Sequence, residues 1–238
     1  MSVLLIDIGN TRLKWQLRQA SVIQQSGVAE HGSAWLTSVD LADCEKVLVA
    51  SVKEQADMQA VLARRFVDKL IWLSQPLLSY MDFKHCYAQP QRLGVDRWLA
   101  MLGAKKHSSG GVLVVDAGTA LTVDVLDASN QHLGGYIVPG LKMAQQALFQ
   151  NTDKVRAFHN EAVLSSINLG SDTLGCVTAG LQRQRLAFVR SLQDEYSDYE
   201  LFISGGDGEW LATQLKTNYY PHLIFDGMDS LCAGLLSV

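Results

Sequence analysis

Short apolar runs recur along the chain, each ending in a turn signal, with stretches of helical spacing between them. Residues 3–17 read VLLIDIGNTRLKWQL and residues 112–126 read VLVVDAGTALTVDVL. Each is a short apolar strand ending in Asp-x-Gly, then a tight turn and a second strand of mixed polarity, which predicts a β-hairpin. Strand-like pieces follow at 46–50 (KVLVA) and 70–73 (LIWL), with a helix-like stretch over 55–69 between them. Residues 95–107 predict a helix with Trp98, Leu99 and Leu102 on one side. Residues 133–138 read as a strand, and Pro139 as the first residue of a helix over 139–150, because proline's fixed φ suits a helix start. A long amphipathic helix from Asp172 to about Tyr196, a strand at 200–204, and helices near 207–216 and 226–236 complete the pattern. Such alternation of strands and helices predicts an α/β protein.

The two hairpins echo each other. Overlaid at an offset of 109, they match at Val3/Val112, Leu4/Leu113, Asp7/Asp116, Gly9/Gly118 and Leu17/Leu126. Two copies starting near residues 1 and 110 predict two similar α/β halves, 1–108 and 109–238.

Composition removes whole classes of function. The 238 residues carry a formal net charge of −4 with no basic block, which argues against a nucleic-acid partner. Charged residues make up 18% against 48% hydrophobic, a ratio that excludes disorder. The apolar run at the N-terminus is short and lacks a basic flank, and no stretch approaches the roughly 20 apolar residues of a membrane span. Cys44, Cys86, Cys176 and Cys232 are scattered, which reads as free thiols in a reducing compartment, so the chain is expected in the cytoplasm with no membrane partner.

The hairpin turns carry the chemistry. Asp7, Gly9, Asn10 and Thr11 offer a close backbone approach and neutral donors for phosphate oxygens, and Lys14 adds a cation. Asp7 would repel phosphate directly, so it calls for a divalent cation between them, most naturally Mg²⁺. The second hairpin repeats the plan with Asp116, Gly118 and Thr119, while Leu121 and Val123 stand in the overlay where the first has Arg12 and Lys14. Asp-x-Gly is also a common turn signal, and two of them after apolar strands favour the phosphate reading. A third cluster, Gly94-Val95-Asp96-Arg97, opens a helix. There Asp96 is either an ordinary helix-terminus acid or a base for an incoming hydroxyl, with Arg97 beside it for an anionic group. Gly205-Gly206-Asp207-Gly208 either admits a flat base or ribose or is a plain strand-to-helix turn.

Taken in order, these motifs resemble the type III pantothenate kinases. The hairpin with Asp-x-Gly-Asn-Thr and Lys14 comes first, then Gly-x-Asp-Arg at 94–97 and Asp-x-Gly-Thr-Ala at 116–120. Gly134-Gly135-Tyr136-Ile137-Val138-Pro139-Gly140 and Gly205-Gly206-Asp207 continue the series, so the likeness runs from residue 4 to about 208. It implies the acetate and sugar kinase, heat-shock-protein-70 and actin superfamily fold: two ribonuclease-H-like, actin-like ATPase halves with the nucleotide in a cleft between them. It also implies ATP-dependent phosphorylation of pantothenate to 4′-phosphopantothenate, the first step of coenzyme A synthesis.

The resemblance carries roles onto particular residues. Asp7, Ile8, Gly9, Asn10, Thr11, Arg12, Leu13 and Lys14 would hold the ATP phosphates together with Thr119. Asp96 would be the general base, and Tyr87, Gly94, Val95, Asp96 and Arg97 would line the pantothenate pocket. Asp116 would sit on a monovalent cation, K⁺ or NH₄⁺, besides the Mg²⁺ that accompanies ATP and for which Asp7 is the nearest carboxylate. Thr173 would reach pantothenate from the neighbouring subunit of a homodimer, although Asp172 stands before it where the family pattern has asparagine. The competing reading of the same fold is a nucleotide-binding accessory regulator without turnover. Sugar kinases, acetate kinases and phosphatases of the superfamily need insertions for which this chain has no room.

Overall fold

The computed structural model describes residues 2–77, 80–156 and 167–235. Its strands form two sheets. The first has five strands, β1 (Ser2–Ile8), β2 (Leu13–Gln19), β3 (Val22–Ala29), β4 (Lys46–Ser51) and β5 (Leu70–Leu73), in the order β3-β2-β1-β4-β5. β1, β2 and β3 pair antiparallel, while β4 and β5 run parallel to β1. The second sheet holds β6 (Val112–Ala117), β7 (Ala120–Leu126), β8 (His132–Pro139) and β9 (Glu200–Ser204) in the order β8-β7-β6-β9. β6 runs parallel to β9. The first four strands of each sheet thus have the same order, as a duplication demands.

Alternation along the strands decides which side chains enter a core. In the first sheet Leu4, Ile6, Ile8, Leu13, Trp15, Leu17, Val47 and Val49 pack under α1 (Ala56–Arg65) and the segment carrying Leu36, Val39 and Leu41. The other face meets α2 (Val95–His107) and α6 (Leu223–Leu235). These two helices cross closely because Gly103 and Gly227 face each other's neighbours: a Cβ on either would strike the backbone carbonyl of Leu223 or Leu99. A charge network centred on buried Arg18 and Asp229 then ties α6 to β2 and α2. Arg18 reaches Asp226 at 2.9 Å and Asp229 at 3.6 Å, and Lys106 reaches Asp229 at 2.6 Å. In the second sheet Leu113, Val115, Ala117, Leu121, Val123 and Val125 pack under α4 (Thr173–Glu195) and α5 (Gly208–Leu215). α3 (Leu141–Gln150) lies against α4, with Gln145 donating to the Thr178 hydroxyl at 2.8 Å.

The chain divides into two compact units that are not contiguous halves. One comprises the chain up to Ser109 with Leu126–Gly134 and the segment from His222 onward; the other comprises Gly110–Val125 and Gly135–Pro221. The division at 108/109 read from the sequence therefore differs in two segments, the β7–β8 connection and the last helix.

Several local expectations change. Pro139 closes β8 instead of opening a helix, and Gly140 caps α3. The reason is tertiary: the Gly140 N–H donates to the Thr119 carbonyl at 3.0 Å, which holds the chain extended against the β6–β7 turn. α1 stops at Arg65 because Phe66 turns into the core and Asp68 takes a left-handed φ of 61°. α6 begins three residues earlier than expected, and residue 236 lies outside the described residues. β3 escaped the sequence reading because VIQQSGVA is an edge strand, exposed along most of its length, with no apolar alternation. Cys44 and Cys232 are buried, and burial pushes the Cys232 thiol up to about 12, whereas Cys86 and Cys176 are exposed. Among the described residues no helix is long and apolar enough to cross a membrane.

Candidate functional site

The first turn is built by β1 and β2. The Gly9 N–H donates to the Arg12 carbonyl at 3.1 Å, which closes the turn and leaves Asn10, Thr11 and Arg12 in solvent. The imidazole of His31, in the loop after β3, braces the turn by donating from Nε2 to the Asn10 carbonyl at 3.3 Å. Asp7 lies directly opposite Lys14 in the antiparallel register, so the two side chains share one face of the sheet. Ile8 and Leu13 point the other way into the core, and only their backbone can meet a ligand. Farther along the face of Lys14, Gln16 contacts His222 at 2.9 Å. Desolvation holds the His222 imidazole below its usual range, the charges of Arg18 and Lys14 add to this, and Asp226 opposes it.

The second turn is shorter. Residues 118 and 119 alone link β6 to β7. Asp116 sits level with Ser204 on β9, and the turn after β9 folds back over it. The Asp207 N–H donates to the Ala117 carbonyl at 2.8 Å, and the Tyr219 hydroxyl donates to the Gly205 carbonyl at 2.9 Å. Gly205 has a φ of +90°, and a Cβ there would lie 2.5 Å from Asp116 Oδ1. Glycine at 205 thus preserves a small cradle beside the carboxylate, and a carboxylate with nearby carbonyl oxygens is the hard donor set that cations of this kind take. Burial raises the Tyr219 phenol above its usual range, with the charges of Glu209 and Asp116 adding to it.

The overlay that set Val123 against Lys14 fails in three dimensions. Core residues of β1 and β6 (Leu4 and Leu113, Ile6 and Val115) differ by 109, but those of β2 and β7 (Leu13 and Leu121, Trp15 and Val123) differ by 108. A one-residue shift exchanges the two faces of a strand. Val123 is therefore a core residue, and Thr122 occupies the face that Lys14 occupies in the first hairpin.

The third cluster is compact. Gly94 caps α2, and Asp96 in its first turn accepts from the Arg97 N–H at 2.8 Å, a position where helix geometry favours an anion. Val95 points into the core. The Arg97 guanidinium is buried and donates from Nη1 to the Tyr87 hydroxyl at 2.9 Å. Tyr87, ten residues before Arg97 in the chain, is thus brought to its guanidinium. Its ring stacks on His132, a residue that sequence reasoning missed although it lies two residues before the Gly134–Gly140 motif, because nothing in the sequence links it to Tyr87.

Thr173 opens α4 in the other unit. Asp172 caps that helix, accepting from the Gly175 N–H at 2.6 Å. Aspartate and asparagine cap helices equally well, which accounts for the departure from the family pattern at this position. Asp207, after β9, accepts from Arg185 Nη1 at 3.3 Å, so the Gly205–Gly208 turn is anchored through α4.

Comparison with known proteins extends the picture. A family model described as type III pantothenate kinase matches residues 3–195. A type III pantothenate kinase of Alcanivorax borkumensis is 34% identical over 250 residues, covering 97% of this chain and 98% of that protein. One from Azotobacter vinelandii is 34% identical over 247 residues, covering 95% and 97%. Among solved structures, a Campylobacter jejuni protein carrying a Baf-family transcriptional-activator description superposes with a TM-score of 0.66 at 22% identity, covering 99% of this chain and 100% of that one. The activator of 2-hydroxyisocaproyl-CoA dehydratase from Clostridium difficile, with bound ADPNP, gives 0.50 at 13% identity, covering 100% and 98%. At these identities the structural likeness speaks for the fold alone, and that fold is the actin-like ATPase class.

Proposed function

The chain belongs to the type III pantothenate kinase family and phosphorylates pantothenate with ATP in coenzyme A biosynthesis, and on that premise we propose which residues do the work. Asp96 is the general base, and Tyr87, Gly94, Val95 and Arg97 form the pantothenate pocket around it. The observation that supports this most directly is the Arg97–Tyr87 hydrogen bond of 2.9 Å, which joins a phenol to a buried cation one residue along α2 from Asp96. Asp96 takes the proton of the substrate's terminal hydroxyl as the phosphoryl group arrives. That proton leaves late in a loose transition state, so an ordinary carboxylate suffices.

The segment Asp7 to Lys14 holds the ATP phosphates. Its backbone N–H groups approach through Gly9, Asn10 and Thr11 donate from their side chains, and Lys14 supplies the charge, while Thr119 adds a further hydroxyl. A divalent cation, Mg²⁺ in this proposal, would accompany ATP with Asp7 as the carboxylate to hold it, and would supply positive charge to offset that of the phosphates. Asp116, with the cradle kept open by Gly205, takes K⁺ or NH₄⁺. Thr173 completes the pantothenate pocket of a neighbouring subunit in a homodimer.

The test is ADP release from ATP and Mg²⁺, with and without pantothenate, in potassium and then in sodium buffer. Pantothenate-dependent ADP that falls when potassium is withdrawn is the expected result. ADP release that ignores pantothenate would overturn the substrate assignment. Absence of turnover from folded protein would leave the accessory regulator as the better reading.

A further inference from the structure

After β7 the chain rejoins the first unit for nine residues, Leu126–Gly134, and carries His132 with it. Backbone bonds fasten this loop. The Lys84 N–H donates to the Asn130 carbonyl and the His132 N–H donates to the Lys84 carbonyl, both at 2.9 Å. Lys105 Nζ reaches the Ala128 carbonyl at 3.4 Å. The loop is also braced from within: Asp127 Oδ1 accepts from the N–H groups of Gln131 and Ser129, each at 2.8 Å. Those bonds, with that of Gln131 foremost, hold the Asp127 carboxyl below the usual range.

His132 at the end of this brace is fully buried. Its ring stacks on that of Tyr87 with centroids 6.0 Å apart and planes 22° apart. Its edge is held by the neighbouring residue in sequence, since His132 Nδ1 lies 3.3 Å from Cys86 Sγ. Phe83 closes the other side at 6.2 Å. One imidazole is therefore gripped by consecutive residues, Cys86 at its edge and Tyr87 at its face. The same Tyr87 hydroxyl accepts from Arg97.

We propose that His132 is a positioning residue for pantothenate binding: it fixes the plane of the Tyr87 ring and, through the Tyr87 hydroxyl, the Arg97 guanidinium. This rests on Tyr87 and Arg97 belonging to the pantothenate pocket. A two-torsion side chain that is already ordered loses little freedom when substrate arrives, whereas an unsupported one loses it on binding and weakens affinity. Phosphate contacts and proton transfer do not pass through His132, so the effect falls on one substrate.

The experiment measures kcat and both KM values in His132→Ala, His132→Phe, Cys86→Ala, Tyr87→Ala and the double variant Tyr87→Ala/His132→Ala. The expected result is a pantothenate KM raised about five- to tenfold in His132→Ala, with kcat and the ATP KM within about twofold. His132→Phe, which keeps a flat ring, recovers most of that loss. Cys86→Ala, at an exposed position that should not endanger folding, raises the pantothenate KM about two- to threefold. In the double variant the His132 change adds nothing to Tyr87→Ala, as it must if it acts through that ring. Losses spread equally over both substrates and kcat, an additive double variant, or an unchanged pantothenate KM in Cys86→Ala would each overturn the proposal while leaving the pocket intact. An unchanged pantothenate KM in Tyr87→Ala would remove the pocket assignment and the proposal together.

Discussion

The hairpins β1–β2 and β6–β7 start from the same acid-x-glycine step and differ in what surrounds the acid. Each acid lies on a central strand flanked by a later parallel strand, Asp7 level with Ala50 and Asp116 level with Ser204. In each, the chain leaving that later strand donates to the residue after the acid, Val52 to Ile8 at 3.2 Å and Asp207 to Ala117 at 2.8 Å. The turns then diverge. Residues 9–12 give the first hairpin an exposed tip with three polar side chains and bring Lys14 opposite Asp7. The second hairpin, with only residues 118 and 119 at its tip, turns Val123 into the core under α4 and α5, leaves Thr122 half-buried on the opposite face, and meets Gly205 beside its carboxylate. The first is suited to anionic oxygens, the second to a cation held by oxygens. The same strand and acid occur twice, and the surroundings differ: Lys14 lies opposite the first acid, and Gly205, from the turn after β9, lies beside the second.

The sharpest way to break this comparison is to put a lysine at each of the two competing positions. Val123→Lys buries an unpaired charge and should cost upward of about 3–5 kcal/mol, enough to abolish folding. Thr122→Lys should leave the melting temperature within a few degrees; if the two variants melted alike, the exchange of faces would be wrong. The proposed base, Asp96, belongs to neither hairpin, so Asp96→Asn should lower kcat by about 10²–10⁴-fold while the pantothenate KM moves only a few-fold. Turnover within a few-fold of normal would dismiss Asp96. Lys14→Ala removes the proposed charge-assisted phosphate contact and should raise the ATP KM about ten- to a hundredfold with little change for pantothenate, read by steady-state kinetics in both substrates.

The smallest effect concerns alkaline pH. Burial, with the charges of Glu209 and Asp116, raises the folded-state pKa of Tyr219 above that of the unfolded chain. The neutral phenol is the form favoured in the native state, so its contribution is complete below about pH 10 and is lost as pH rises through the folded value. Tyr219→Phe should therefore melt slightly lower than wild type at neutral pH but decline less steeply above pH 10, by about 1–2 °C. Parallel curves would show that Tyr219 does not report on the Gly205 turn.

The elements that were legible are those in which local pattern and tertiary role agree. The helix over 95–107 is observed at Val95–His107, where apolar spacing coincides with burial, and the strand over 70–73 at Leu70–Leu73, where the apolar run is half-buried and ends in buried Leu73. Edge strand β3 had no such signal, since both of its faces are largely exposed. Pro139 carried the opposite signal, a helix start, which the contact between Gly140 and the Thr119 carbonyl overrode. Of the candidate site, Asp96 and Arg97 were legible as neighbours on one helix, but Tyr87 joins them through a bond that no spacing rule predicts.

By itself the sequence determined the α/β class, the repeated acid-bearing hairpin and the order of motifs that marks the family, because these rest on interactions between residues near in the chain. Only the tertiary structure decided that Val123 enters the core under α4 and α5 and Thr122 lies on the opposite face, that the last helix returns to the first unit, and that His132 lies under Tyr87. Those depend on which surfaces the folded chain has available to bury. A strand's pattern names two faces, and only packing against the rest of the molecule says which one is inside.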